Sequence, residues 1–192
     1  MDRDRDLFWQ LIEPEHLKAR AFSRKLMGNR EDGDDLYQDA LVRALTNFRD
    51  LRQINAFRSW LYRIIINQFR NRVRSPWWRR LSTMTTELES GLLGENPVPV
   101  LAARRRLSVA LASLSPNDRA LVTLFELQGW RLAELSEMTG RSQGSLKVRL
   151  SRARGKMRKS LQRYLQTNTG QSLTRTVRSE DEICVVTKPA KD

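Results

Sequence analysis

The sequence predicts an all-α chain of two small helical domains joined by a flexible linker, and three observations predict it. No stretch from Met1 to Ser75 alternates apolar and polar residues at period two for long enough to make a sheet, while apolar residues recur there at helical spacing. From Leu81 to Ala102 that spacing fails among Ser82, Thr83, Thr85, Thr86, Ser90, Gly91, Gly94, Pro97 and Pro99, and Glu87, Glu89 and Glu95 meet no Lys or Arg. Helical spacing then resumes and closes on two helices separated by a tight turn, between Trp130 and Arg163. The expected division is a first domain over residues 1–80, a mildly acidic linker over 81–102, a second domain over 103–166 and a loose tail over 167–192.

The elements follow in order. Leu7, Phe8, Leu11 and Ile12 mark a first helix that Pro14 interrupts, and Pro14 can itself begin the next, which carries Leu17, Ala21, Phe22 and Leu26 and stops at Gly28. Asp32 to Asp34 place acids at the start of a helix whose expected buried face is Leu36, Ala40, Leu41, Ala44, Leu45 and Phe48. After a polar loop from Arg49 to Ile54, Asn55 can cap a long helix with Phe57, Trp60, Leu61, Ile64, Ile65 and Phe69 on one stripe. Arg58, Arg63, Arg70, Arg72 and Arg74 lie on its other faces, and it should end before Pro76.

In the second half, Leu107, Ala110, Leu111 and Leu114 mark a helix starting near Arg104. Ser115-Pro116-Asn117-Asp118 then offers a cap, a first-turn proline and a capping-box acid to a helix carrying Leu121, Leu124 and Phe125, closed by Gly129. Leu132, Leu135 and Met138 share a face of the next helix before Gly140 allows a sharp turn and Ser142 caps the last. In that last helix Leu146, Leu150, Ala153, Met157 and Leu161 form the apolar stripe, and from Arg141 to Arg163 there are nine Lys or Arg and no acid. This is a helix-turn-helix pattern, whose second helix enters the major groove with its N-terminal residues nearest the bases. A solvated basic helix on an ordinary bundle is the plainer alternative, which the turn chemistry and the missing acids disfavour.

Composition agrees with a polyanionic partner. The chain of 192 residues has net charge +13 and a pI near 10.9, enough to hold nucleic acid by counterion release. A lone cysteine, Cys184, and a lone histidine, His16, exclude an intrachain disulfide and a Cys/His metal cluster, so no metal and no cofactor is expected. No signal core opens the chain and no run approaches a membrane span, so a cytoplasmic protein without membrane insertion is expected.

Three blocks in one order carry a resemblance: Asp34-Asp35-Leu36-Tyr37-Gln38-Asp39-Ala40, then Phe57-Arg58-Ser59-Trp60-Leu61-Tyr62-Arg63-Ile64 with Asn67, then Gly144-Ser145-Leu146-Lys147-Val148-Arg149-Leu150-Ser151-Arg152-Ala153-Arg154. From Phe8 to about Leu165 the chain resembles the extracytoplasmic-function sigma factors of the bacterial sigma-70 family. The resemblance implies a specificity subunit that binds core RNA polymerase, directs it to particular promoters and helps open them, with no catalysis of its own.

The same resemblance assigns Asp35, Leu36, Gln38 and Asp39 to core-polymerase docking, although acids there would equally complement a helix N-terminus. It assigns Arg52, Gln53, Asn55, Arg58, Arg63, Asn67, Arg70 and Arg74 to recognition and melting of the minus-ten element, which needs cations for the single strand and a reader for an extracted base. Trp60 belongs to the core stripe or to a stacking platform, the first being favoured, and Trp77 and Trp78 either stack or close the first domain. Arg141, Ser142, Gln143, Ser145, Lys147, Arg149 and Arg152 fall to the minus-thirty-five element, with Arg149 expected to make a bidentate base contact.

Arg141 and Ser142 depart from the apolar residue and proline common there, Asn71 from an aspartate, and Leu146 and Val148 from Val and Ser. The family also implies an anti-sigma factor as inhibitory partner. The tail is either disordered or regulatory, with Cys184 a weak redox candidate for want of a cationic neighbour. The rival readings are a free-standing helix-turn-helix regulator, a DNA-processing enzyme, whose acidic cluster at Asp32, Asp34, Asp35 and Asp39 would lack a histidine, and a nucleoid protein.

Overall fold

The computed structural model describes residues 2–75 and 99–180, and every regular element among them is helical. Four helices make the first set: α1 (Asp2–Ile12), α2 (His16–Met27), α3 (Arg30–Thr46) and α4 (Phe57–Arg74), with two 3-10 turns, Phe48–Asp50 and Ile54–Ala56, between the last two. The second set is α5 (Pro99–Ala112), α6 (Pro116–Val122) running into a π-helical turn (Thr123–Leu127), α7 (Leu132–Thr139) and α8 (Gln143–Glu180). No helix among the described residues is long and apolar enough to cross a membrane.

The caps fall largely where the sequence puts them. Ser115 accepts the backbone N–H of Asp118 ahead of Pro116, and the Ser142 hydroxyl accepts that of Ser145. Asn29, one residue before α3, accepts the N–H of Asp32 at 2.9 Å. Four expectations are corrected. Asn55 caps nothing: it lies in a 3-10 turn, and Ala56 precedes α4 without a side-chain cap. The linker does not run to Ala102, because α5 starts at Pro99, where proline's fixed φ suits a first helical residue and Leu101, Ala102 and Ala103 favour continuation. The tail expected to be loose from residue 167 continues as α8 to Glu180, since no proline interrupts residues 167–180. Leu45, expected on a buried face, is exposed. Trp77, Trp78, most of the linker and Cys184 lie outside the described residues.

The two sets do not have separate interiors. Phe8, Phe22, Leu26, Leu61, Tyr62, Ile65 and Phe69 of the first belong to one continuous apolar cluster with Leu111, Leu121, Leu124, Trp130, Leu135, Leu146 and Leu150 of the second. Trp60 packs beside that cluster, its ring 6.0 Å from Phe57, so the core reading of Trp60 holds.

α2 and α3 are fastened by Asp34, whose carboxylate takes paired hydrogen bonds from Arg24 at 2.6 and 2.7 Å and from Arg20 at 2.8 Å each. The bonds from Arg24 and then Arg20, with their charges, hold the Asp34 carboxyl well below the usual carboxylate range. A folded-state pKa below the unfolded one contributes stability that is present above the unfolded value and lost as pH falls through the folded one. Asp34→Asn should therefore lower the thermal midpoint at pH 7, and the gap to the parent should narrow as pH drops below about 4. A gap that stays constant with pH would show that the charge is irrelevant.

Candidate nucleic-acid interface

The turn between α7 and α8 is built by Gly140, whose φ of 67° is left-handed and whose N–H donates to the Ser136 carbonyl. The Ser136 hydroxyl then donates to the carbonyl of Arg141 at 2.6 Å, which fixes the first residue past the turn. Leu135 and Met138 of α7 and Leu146, Leu150 and Ala153 of α8 bury against each other and against α6, so the remaining faces of α8 are settled by elimination. Burial of each of these leucines contributes roughly 1.5–3 kcal/mol, which makes the orientation of α8 firm.

Turned outward are Arg141, Ser142, Gln143, Ser145, Lys147 and Arg152, together with Val148, which is 50% exposed. This surface holds three cations and three neutral hydrogen-bonding side chains and no acid. Arg149, expected to read a base, does not join it. Its Nη2 and Nε donate to Oδ1 of Asp118 at 2.5 and 3.1 Å, tying α8 back to the first turn of α6. Burial works to raise the Asp118 carboxyl, but the hydrogen bonds from Ser115 and Arg149 and the charges of Arg149 and Lys156 outweigh it and hold the carboxyl low. Arg154 is tied in the same way to Glu126 on the π-helical turn.

On α4, Arg63, Asn67, Arg70 and Arg74 follow one another at spacings of four, three and four, hence on one face, and Arg63, Asn67 and Arg74 are exposed. Arg52, Gln53 and Asn55 are exposed in the segment leading into the helix. Arg58 stands apart from them. It lies 4.4 Å over the ring of Trp130, its Nη1 is 3.3 Å from Oε1 of Glu134, and its Nε is 3.6 Å from Oε2 of Glu15. Arg63 reaches the same side, donating to the Met138 carbonyl at 3.0 Å.

On α3, Asp35, Gln38 and Asp39 are exposed along one side. Leu36 is not with them: at 1% exposure it is a core residue, because its position carries the apolar stripe of α3 onto α2 and α4. Asp39 is paired with Arg72 of α4 at 2.7 Å. Sequence reasoning missed Trp130, Glu134, Glu15 and Arg119, the residues that join the two helical sets. Trp130 next to a glycine and Arg119 inside an apolar helix were the available signals.

Two family models match the chain: Sigma-70 region 2 over residues 11–79 and Sigma-70 region 4 over residues 104–157. The chain is 31% identical over 172 residues to ECF RNA polymerase sigma factor SigM of Mycobacterium tuberculosis, an alignment covering 90% of this chain and 84% of that protein. It is 25% identical over 169 residues to ECF RNA polymerase sigma factor SigW of Bacillus subtilis, covering 82% and 90%. Among solved structures, CnrH in complex with the cytosolic domain of CnrY superposes with a TM-score of 0.58 at 24% identity, covering 81% of this chain and 87% of that one. The sigma factor RpoE in complex with the anti-sigma factor NepR from Bartonella quintana gives 0.55 at 22%, covering 81% and 96%.

Proposed function

This chain belongs to the extracytoplasmic-function group of the sigma-70 family of RNA polymerase sigma factors, and we propose that it binds core RNA polymerase, directs it to a particular set of promoters and helps to open them. Nucleotide addition is left to the polymerase, and the sigma subunit works in the cytoplasm beside it without a cofactor. The observation that carries the reading is the outward surface of the helix-turn-helix, where Arg141 and Ser142 precede α8 and Gln143, Ser145, Lys147 and Arg152 are presented by that rigidly packed helix. Phosphate contacts from such a face position the protein, and base-edge contacts near the helix N-terminus specify the sequence, here the minus-thirty-five element.

The minus-ten element falls to Arg52, Gln53, Asn55, Arg63, Asn67, Arg70 and Arg74, whose cations suit a single strand and whose amides suit an extracted base. Arg58 joins them once it leaves Glu15 and Glu134. Asp35, Gln38 and Asp39 are the docking surface for core polymerase, where exposed acids and an amide set encounter and register. The anti-sigma factor named with RpoE of Bartonella quintana makes an inhibitory protein of that class the natural partner for this chain too.

Purified protein mixed with core polymerase free of other sigma factors should give run-off transcripts from a defined subset of genomic promoter fragments. DNA binding without any initiation would instead identify a free-standing regulator.

A further inference from the structure

Val148 is chemically out of place on the surface that the turn and α8 present. Between Arg141 and Arg152 every other exposed side chain is a hydroxyl, an amide or a cation, yet Val148 is 50% exposed and takes no part in the apolar core. At 3.6 residues per turn it stands about 200° from Leu146 and about 160° from Leu150, the two buried leucines on either side of it in sequence. It therefore marks the crest of the outward face.

Folding does not explain a valine there. A β-branched side chain lowers helix propensity, and at the crest it buries little in return. An isolated apolar residue elsewhere on a surface calls for no account, but this one heads the part of the molecule assigned to DNA. Its position is also firm, because Leu146 and Leu150 seat α8 and Arg149, next in sequence, ties the helix to Asp118 on α6.

One turn earlier on the same face stands Gly144. Its backbone is not left-handed, and a Cβ built there would meet nothing within 4 Å, so neither conformation nor crowding within the chain calls for glycine. A helical side chain leans over the turn N-terminal to it, which carries the Val148 isopropyl toward the open space at Gly144. The result is a low apolar step, with clearance for a close partner, among hydrogen-bonding groups.

In the major groove the bases present hydrogen-bonding edges and one apolar group, the C5-methyl of thymine. We infer that Val148, beside the clearance at Gly144, receives the C5-methyl of a thymine in the minus-thirty-five element and so selects thymine at one base pair. The inference rests on the assignment of α8 to that element proposed above. Valine neither donates to nor accepts from a base edge, so cytosine at the same place loses the methyl contact and leaves its amino group against an apolar surface. Branching already holds Val148 in one preferred rotamer, so little freedom is lost on contact. Val148 and Arg152 are four residues apart, about 6 Å along the helix, which places the thymine within about two base pairs of the contact made by Arg152.

The test uses holoenzyme assembled from the full chain and core polymerase, at limiting concentration, on a run-off-selected promoter. Each thymine of the minus-thirty-five element, on either strand, is replaced singly by deoxyuridine, which removes the methyl alone. Initiation should fall about fourfold at one thymine, the worth of one buried methyl, and hold at the others. Val148→Ala and Val148→Ser, with thermal midpoints matching the parent's, should initiate at the parent's deoxyuridine level on both templates. An element in which no thymine responds overturns the inference and leaves the sigma reading intact. A response that persists in both variants gives the methyl to another residue and overturns it too. Absence of initiation by the parent holoenzyme on every fragment would sink the sigma reading, and the inference with it.

Discussion

Alanine at Gly33 is expected to destabilise the protein by about 3 kcal/mol or more, an opposite result to the gain a helix normally draws from that exchange. Gly33 lies one turn into α3, at its crossing with α2, and is buried. A Cβ there would meet the Cα of Arg24 within van der Waals contact and its backbone nitrogen at 2.8 Å, so no side-chain rotation relieves it and the two helices must separate. Separation would also loosen Arg20 and Arg24 from Asp34, the residue following Gly33, and lift Phe22 and Leu26 from the core they share with Leu61, Ile65 and Phe69. Intrinsic propensity alone would favour alanine by up to about 1 kcal/mol, so the sign of the change decides which effect wins. The measurement is the urea midpoint of Gly33→Ala against the parent. A midpoint that rises would mean that α2 and α3 adjust apart at little cost.

Helix positions were legible because periodicity and punctuation agreed: Gly28, Pro76, Ser115 and Gly140 each stand at or beside an observed boundary. Where single-residue rules competed, the sequence misled. Asn55 is a strong capping residue by type, but its segment folds as a 3-10 turn, and Pro99 read as a breaker is instead the first residue of α5. Site residues were harder, because a cation's role depends on what stands opposite it across the fold. Arg149 is 31 residues from Asp118 and Arg58 is 76 from Glu134, and no local pattern announces either pairing. Leu36 was placed among docking residues by its motif neighbours, although its apolar spacing with Ala40 already pointed inward. The joining of the two sets into one core was illegible for the same reason. Each set has a complete amphipathic pattern by itself, and only Trp130 and Arg119 exceed what the local pattern needs.

Arg152 and Arg149 should therefore fail in different ways. Arg152 is exposed two helical turns into α8 and takes part in no ion pair among the described residues, so its fork is available for a bidentate contact with guanine. Arg152→Ala should cost roughly 1–3 kcal/mol at one base pair, about 5- to 150-fold in run-off initiation, and relax discrimination there while leaving the thermal midpoint in place. Arg149→Ala should lower the thermal midpoint and depress initiation alike on every promoter. Because Arg149 acts on Asp118, Asp118→Ala should reproduce its effect, and the double substitution should add little, a coupling of about 1–2 kcal/mol in the stability cycle. Charge does not separate the two arginines, since both are cationic and three residues apart on the same helix. What separates them is the carboxylate that α6 presents to one and not to the other. Base-pair-selective loss at Arg149 with additive stability effects would reverse the assignment and return that residue to the groove.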